Sequence, residues 1–405
     1  MKNLKRYNVI DLFAGCGGLT DGFEQTNHFS TVACIEWDEY AIQNLKKRLH
    51  DKWNYKNVDN FVLRFDIQQT DKLFKGWSND AKYGSSIGLD KLISSGVDVI
   101  IGGPPCQAYS MAGRIQDKNN MKLDYRNYLF ESYLAVVERY KPKLIIFENV
   151  QGILSACPDG EKITSKIQKA FSKAGYHILP NLKNALFDVA DFGIPQHRKR
   201  VIIFGIRSDI YKRFNTLLSE FYDVYMPKRK AKHIRTVFDA IGDLPKLLPV
   251  TGMQKKAYTE DNTFLNHKAR YQSDRDKNIF KLLTKDIESG TNKYADVKSL
   301  KKLYTKITGK ESNIHKYNVL KWNEPSNTIP AHLCKDGLRH IHPDSEQLRT
   351  ITVREAARLQ SFDDDFEFIG PQTEQFKMIG NAVPPKFAHI LADVVYEILL
   401  KIDSE

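Results

Sequence analysis

Short apolar runs rich in β-branched residues recur along the chain, each ended by a glycine, a proline or an acid. Residues 8–13, 31–35, 61–65, 97–101 and 143–147 carry the uninterrupted apolar character of strands buried on both faces, not the alternation of half-exposed ones. Residues 176–179 and 182–187 continue the series, and 201–206 reads as its last member. Residues 128–140 set Leu129, Tyr133, Val136 and Val137 on one helical face, and Pro142 marks the exit. Further on, Thr352-Val353-Arg354-Glu355 is a capping box opening a helix over 353–360, and a final amphipathic helix comes after Gly380-Asn381. Strands alternating with helices predict an α/β chain whose sheet binds ligands beyond the carboxyl ends of its strands.

From about residue 208 to 321 the apolar strands thin out, lysine rises, and residues 228–235 form a basic run. A chain of 405 residues has room for a full α/β core and this second, smaller domain. Its net charge of +12 favours an anionic partner, nucleic acid first, although a charge run is by default a solvated face. Five widely spaced cysteines describe no disulfide framework and fit a reduced, intracellular setting. The first residues lead straight into a strand without a signal core, and the apolar stretch 387–402 is interrupted by Asp393 and Glu397. A cytoplasmic protein with no membrane partner is expected.

The chemistry concentrates at strand ends. Gly102-Gly103-Pro104-Pro105-Cys106-Gln107 comes directly after one buried run, its glycines permitting close backbone approach and its prolines fixing the direction of the next side chain. A rigid mount for one thiol points to a nucleophile, whereas most free cysteines are small buried hydrophobes. Glu148 finishes another buried run on the same rim. The turn Ala14-Gly15-Cys16-Gly17-Gly18, with Glu36 ending the second strand, is the Rossmann pairing of glycine turn and acid, which fits a dinucleotide or S-adenosylmethionine. It lacks the third glycine of the dinucleotide fingerprint. Within Gln196-His197-Arg198-Lys199-Arg200, an extended backbone sets Gln196, Arg198 and Arg200 on one face, three donors suited to an anionic ring or a phosphate.

Five blocks, taken in order, closely resemble the cytosine-C5 DNA methyltransferases: Asp11-Leu12-Phe13-Ala14-Gly15-Cys16-Gly17-Gly18-Leu19, the Pro-Pro-Cys106 segment, Phe147-Glu148-Asn149-Val150, Gln196 to Arg200, and Gly380-Asn381-Ala382-Val383-Pro384-Pro385. The resemblance implies an S-adenosylmethionine-dependent Rossmann-like sheet with a target-recognition domain at 208–349 and a discontinuous catalytic domain at 1–207 plus 350–405. It implies that Gly15, Gly17, Gly18 and Leu19 hold the methionine end of the cofactor, that Phe13 and Trp37 lie against its adenine, and that Glu36 takes both ribose hydroxyls. Asp66, with Ile67 next to it, would accept the adenine amino group, with Asp59 and Asp71 as other candidates; Pro104, Leu129 and Asn381 would complete the pocket.

By the same resemblance Cys106 adds to the target base, Glu148 holds its N3 edge and Arg198 steadies O2 and favours the thiolate. Gln107, Ser110, Arg114, Gln196, Arg200 and Thr328 would contact DNA, Ala112 standing where a second serine is usual. His332, Cys334, His340 and His342 match no zinc module, so no metal is expected. The expected partner is duplex DNA, methylated by a monomer that serves beside a restriction endonuclease without forming a stable complex. The same chemistry on RNA, and an NAD-binding redox enzyme with a sensor cysteine, are the competing readings.

Overall fold

The structure, a computed structural model, describes residues 5–105, 129–158, 160–250, 257–311, 317–335 and 337–404. Cys106, Gln107, Ser110 and Arg114 lie outside the described residues. The chain divides into two compact units. The first comprises Met1–Phe192, Lys199–Lys232 and Ala382–Glu405; the second comprises Gly193–Arg198 and His233–Asn381. Beyond Gly193–Arg198 the second unit therefore resumes at His233, later than residue 208, and takes in residues 350–381, where the capped helix Val353–Leu359 packs on Val237–Ile241 of that unit.

The first unit is built on one eight-stranded sheet. Its strands are β1 (Tyr7–Leu12), β2 (Phe29–Glu36), β3 (Val62–Arg64), β6 (Val99–Gly102), β7 (Leu144–Val150), β8 (Tyr176–Ile178), β9 (Leu186–Asp188) and β10 (Lys199–Arg207); β4 (Trp77–Asp80) and β5 (Gly84–Ser86) form a separate two-stranded ribbon. The order is β3-β2-β1-β6-β7-β10-β8, with β9 also on β10. The five strands from β3 to β7 run parallel and β10 runs against β7. Every residue of β6 is buried, and β7 is buried from Leu144 through Asn149, as the unbroken apolar runs require.

The register decides where the chemistry can sit. Leu12 pairs with Ile35 on one side and Gly102 on the other, Gly102 pairs with Phe147, and Glu36 pairs with Arg64. Four parallel strands thus end at one level, and the segments beyond them share a rim. The helix Leu129–Tyr140 buries Leu129, Phe130, Tyr133, Val136 and Val137, and the Tyr133 hydroxyl donates to Ile100 O and Ile146 O. Helix Gly18–Gln25 lies against Pro385–Ser404, where a Cβ on Gly22 would fall 2.5 Å from Pro385 O. Residues 182–187, expected as one strand, are split. A 3-10 turn occupies Leu182–Ala185, and only Leu186–Asp188 pairs.

The second unit contains two cross-packed helices, Asp274–Glu288 and Val297–Thr308, whose Ile279, Phe280, Leu283, Leu300 and Leu303 meet Tyr317, Val319 and Ile341 in a core of their own. It also buries a charged cluster. Arg349 donates to both oxygens of Glu355, which also closes the capping box with Thr352. Although burial pushes the Glu355 carboxyl upward, the Arg349 guanidinium holds it well below the ordinary glutamate value. His342 lies 3.5 Å from Glu355, and burial lowers it to about 3; burial lowers His340 to about 4.

Both imidazoles are neutral when folded but take up protons near pH 6.5 when unfolded, so protons are bound on unfolding between roughly pH 6.5 and 4. Stability should therefore fall as pH drops through that window, by at most about 1.4 kcal/mol per pH unit for each histidine. Urea titrations between pH 7 and pH 4.5 check this, and a His340→Gln, His342→Gln variant with an undiminished pH slope would contradict it.

Candidate active site

The site is assembled from the segments that lie beyond the strand ends. After β1 the backbone enters the left-handed region at Phe13 (φ 59°), a strained setting for an aromatic residue, then again at Gly15 and Gly17. Gly18 is required by space as well, since a Cβ there would lie 2.3 Å from Val383 O, whereas at Gly17 it is the backbone angle that favours glycine. Leu19 is buried in the first turn of the helix and anchors it.

Glu36 ends β2 facing this turn. Its Oε2 accepts from Gly15 N (2.8 Å) and its Oε1 from Trp37 N and Asp38 N (both 2.8 Å). Burial raises the Glu36 carboxyl above its usual value, and these three amides oppose the shift. A carboxylate has about four lone-pair positions, and three are filled from within the chain. The remaining capacity faces outward for a ligand hydroxyl.

Trp37 is 53% exposed, so plain core packing does not account for it, and an open aromatic face stands next to Glu36. Asp66, half-buried just past β3, closes a short turn on Gln68 N, with Ile67 buried behind it. Asp59 and Asp71 are instead exposed and bonded to lysines, and Phe65 N donates to Glu36 O. Of the three candidate aspartates, Asp66 is the one that directly follows a residue bonded to the Glu36 backbone. Phe65 in turn stacks on Trp77 of β4 at 3.8 Å, a support that the sequence did not reveal.

At the other half of the rim, β7 runs past its expected end and carries Glu148 as an internal, buried residue. Its carboxylate lies against Gly103, where a Cβ would sit 2.7 Å from Oε2. Asn149 Nδ2 donates to Pro104 O, tying the start of the Pro-Pro segment to β7. Opposite, β10 pairs Ile202 with Glu148, so Arg200 is a diagonal neighbour on the same face. Its Nε contacts Glu148 Oε1 at 2.7 Å, with both side chains about nine-tenths buried.

The arginines therefore divide differently from the expectation. Arg198 is engaged within the second unit, where it is 1% exposed and donates to Ile329 O and Gly380 O, so it is Arg200 that answers Glu148. Gln196 is likewise buried, giving Nε2 to Gln360 Oε1 and Leu359 O and accepting from Ile329 N. The alternation expected to set the three on one face is matched by their burial, with His197 and Lys199 exposed between them. Gln196 is spent on bonds within the chain, while Arg200 is buried against Glu148 and so belongs to the catalytic half of the rim, not to a surface DNA contact. Thr328 is exposed, its hydroxyl donating to His197 O, and Asn381 is exposed at the end of helix Gln372–Asn381, an element with no clear sequence signal.

Burial drives the Cys16 and Cys34 thiols far above their ordinary value, which keeps both protonated at neutral pH. Among the described residues no three histidine, cysteine or acidic side chains converge as a metal site, and no helix is long and apolar enough to cross a membrane.

A sheet of this order, with its last strand antiparallel, a glycine turn and acid at one half of the rim and a clamped carboxylate at the other, defines an S-adenosylmethionine-dependent methyltransferase fold. Residues 7–397 match the family C-5 cytosine-specific DNA methylase, and the chain belongs to that family. It is a DNA (cytosine-5-)-methyltransferase with S-adenosylmethionine as methyl donor. The chain is 33% identical to Type II methyltransferase M.Bpa9945I of Bacillus paralicheniformis, across 96% of this chain and 99% of that one. It is 30% identical to Type II methyltransferase M1.HphI of Haemophilus parahaemolyticus, across 95% and 86%. Among solved structures, a prophage-encoded protein described as a DNA modification methyltransferase (E. coli) superposes with a TM-score of 0.60 at 25% identity, covering 97% of this chain and 99% of that one. The S. pombe Dnmt2 methyltransferase shares the fold, with a TM-score of 0.54 at 15% identity and coverage of 98% and 100%.

The contact at Gly103 yields a direct test. Gly103→Ala would push the Glu148 carboxylate out of place while leaving the sheet intact, and methyl transfer should fall about tenfold or more. Turnover measured beside a thermal melt separates the two effects, and unchanged turnover would show that the carboxylate position is not critical.

Proposed function

We propose that the protein methylates C5 of one cytosine swung out of a defined duplex sequence, with Cys106 as nucleophile and the Glu148–Arg200 pair gripping the N3 and O2 edge. The observation that supports this reading is the 2.7 Å pair itself, held against Gly103 three residues before Cys106. Arg200 takes the role that the sequence resemblance gave to Arg198. The Type II names of the relatives support a place as the modification enzyme of a restriction–modification system, acting as a cytoplasmic monomer beside a nuclease of the same specificity.

Cytosine C5 is a poor nucleophile while the ring stays aromatic. The Cys106 thiolate adds to C6, forming the C6–S bond, and the displaced π pair makes C5 nucleophilic. Glu148 holds a proton at N3, so negative charge does not accumulate on the ring. The guanidinium of Arg200 fixes that carboxylate and offers a cation to O2.

When bound, S-adenosylmethionine supplies the electrophilic methyl group and departs as a neutral thioether. The rim residues fit such a ligand: Glu36 keeps an acceptor position for a ribose hydroxyl, Trp37 offers an open face and Asp66 a carboxylate for an amino group. Loss of the C5 proton to water then returns the C6–S pair to Cys106 and restores the ring. None of these groups reaches C5 and C6 within a stacked duplex, so the base must leave it.

Labelled S-adenosylmethionine incubated with separate DNA and RNA pools should deliver label to DNA alone. Cys106→Ser should abolish transfer, and DNA carrying 5-fluorocytosine should trap the wild type covalently. Glu148→Gln should cost about 100-fold or more. Arg200→Gln should lower turnover in a folded protein, whereas Arg198→Gln should act mainly on stability. Transfer by the Cys106→Ser variant, or label found only in RNA, would overturn the proposal.

A further inference from the structure

Half of the chain's net charge sits in one small part of it. Between residues 277 and 310 there are nine lysines against three acidic residues, a balance of +6 out of +12. The three acids are already engaged: Asp286 accepts from Lys293 N and Tyr294 N, Glu288 from Ser345 N, and Asp296 caps the next helix through Ser299 N. Among the described residues none forms an ion pair with a lysine, although the Lys298 charge is near enough to act on Asp296.

The helix Val297–Thr308 contains four lysines and no acid. Leu300 and Leu303 point into the local core with Ile307 packed against it, while Lys298, Lys301, Lys302 and Lys306 fall on the opposite arc of roughly 140°, at about 100° per residue. Among the described residues none of the four forms an ion pair. The arrangement works against the helix, because Lys298 and Lys302, and Lys302 and Lys306, are like charges four residues apart. No glutamate on this helix offsets the repulsion.

We infer that the lysine arc of helix Val297–Thr308 is a docking surface for the phosphate backbone of duplex DNA, making contacts that do not depend on base sequence. The inference rests on the reading that duplex DNA is the substrate. Lysine suits this task as a strongly hydrated point charge that meets phosphates without demanding one geometry. Four such contacts release condensed counterions, so the arc should govern the salt dependence of binding, not the choice of bases.

The test compares wild type with a Lys298→Gln, Lys301→Gln, Lys302→Gln, Lys306→Gln variant, using fluorescence anisotropy on a 30-base-pair duplex of arbitrary sequence across a salt series. A charge-matched control carries glutamine at Lys56, Lys91, Lys173 and Lys183, all exposed in the first unit. The arc variant should lose about two to four from the slope of log affinity against log salt and about tenfold or more in affinity near 150 mM salt. The control should lose markedly less, and a Lys→Arg version of the arc should restore binding. Helix content should be unchanged and the melting temperature no lower than wild type, since repulsion has been removed.

An unchanged slope overturns the inference, as does an equal loss in the control, which would reduce the effect to bulk charge. Loss of binding to structured RNA with duplex DNA binding intact also overturns it. Methyl transfer to DNA by the arc variant at low salt should persist, so failure of the docking surface and failure of the DNA methylation reading give different results.

Discussion

The ion pair between Glu148 and Arg200 is the constraint around which the catalytic half of the rim is arranged. A buried carboxylate without a partner is costly, and the guanidinium that answers it comes from β10, which runs against β7. Antiparallel pairing places Ile202 opposite Glu148 and so sets Arg200 diagonally on the same face; a parallel β10 with a different register would not. Gly103 must then lack a side chain, because the space a Cβ would occupy holds Glu148 Oε2. One interaction thus accounts for the last strand's direction, the second glycine before the prolines and the inward turn of the arginine.

The cofactor half obeys a different rule, the valence of one carboxylate. Glu36 is buried yet spends three of its acceptor positions on amides of the turn and of its own strand end. Those bonds explain why the first glycine of the turn approaches so closely, and they fix the carboxylate before any ligand arrives. Positions held in advance lose little freedom on binding, and this favours tight capture of a flexible nucleoside. Asp66 reaches the same edge by a separate route, through Phe65 and its stacking on Trp77, a support outside the glycine-turn unit.

Much of this was legible in the sequence, and the part that was not has a physical reason. Unbroken apolar runs located β1, β2, β3, β6 and β10 within a residue or two, and β7 within three at its end, because strands buried on both faces leave little latitude in composition. The alternation in residues 196–200 likewise identified the shared face of Gln196, Arg198 and Arg200. What alternation cannot specify is the partner. Arg198 and Arg200 look equivalent at a spacing of two, and only the register of β10 on β7 gives Glu148 to Arg200 while Arg198 serves two carbonyl oxygens. Helix Gln372–Asn381 escaped notice since it comes after a turn-rich stretch, and the 3-10 turn at Leu182–Ala185 was hidden by apolar residues that suit either state.

Charge obeyed a similar logic with a different outcome. The run at residues 228–235 drew attention as consecutive basic residues, yet Arg229 and Lys230 are paired with Glu397 and Asp191. In helix Val297–Thr308 the lysines are spread along the sequence, and folding gathers them on one arc while the nearby acids are consumed by backbone amides. Linear density is therefore a poor guide to a binding surface. The better signal is a helix face that carries unrelieved repulsion, since an anion outside the chain would turn that repulsion into binding energy.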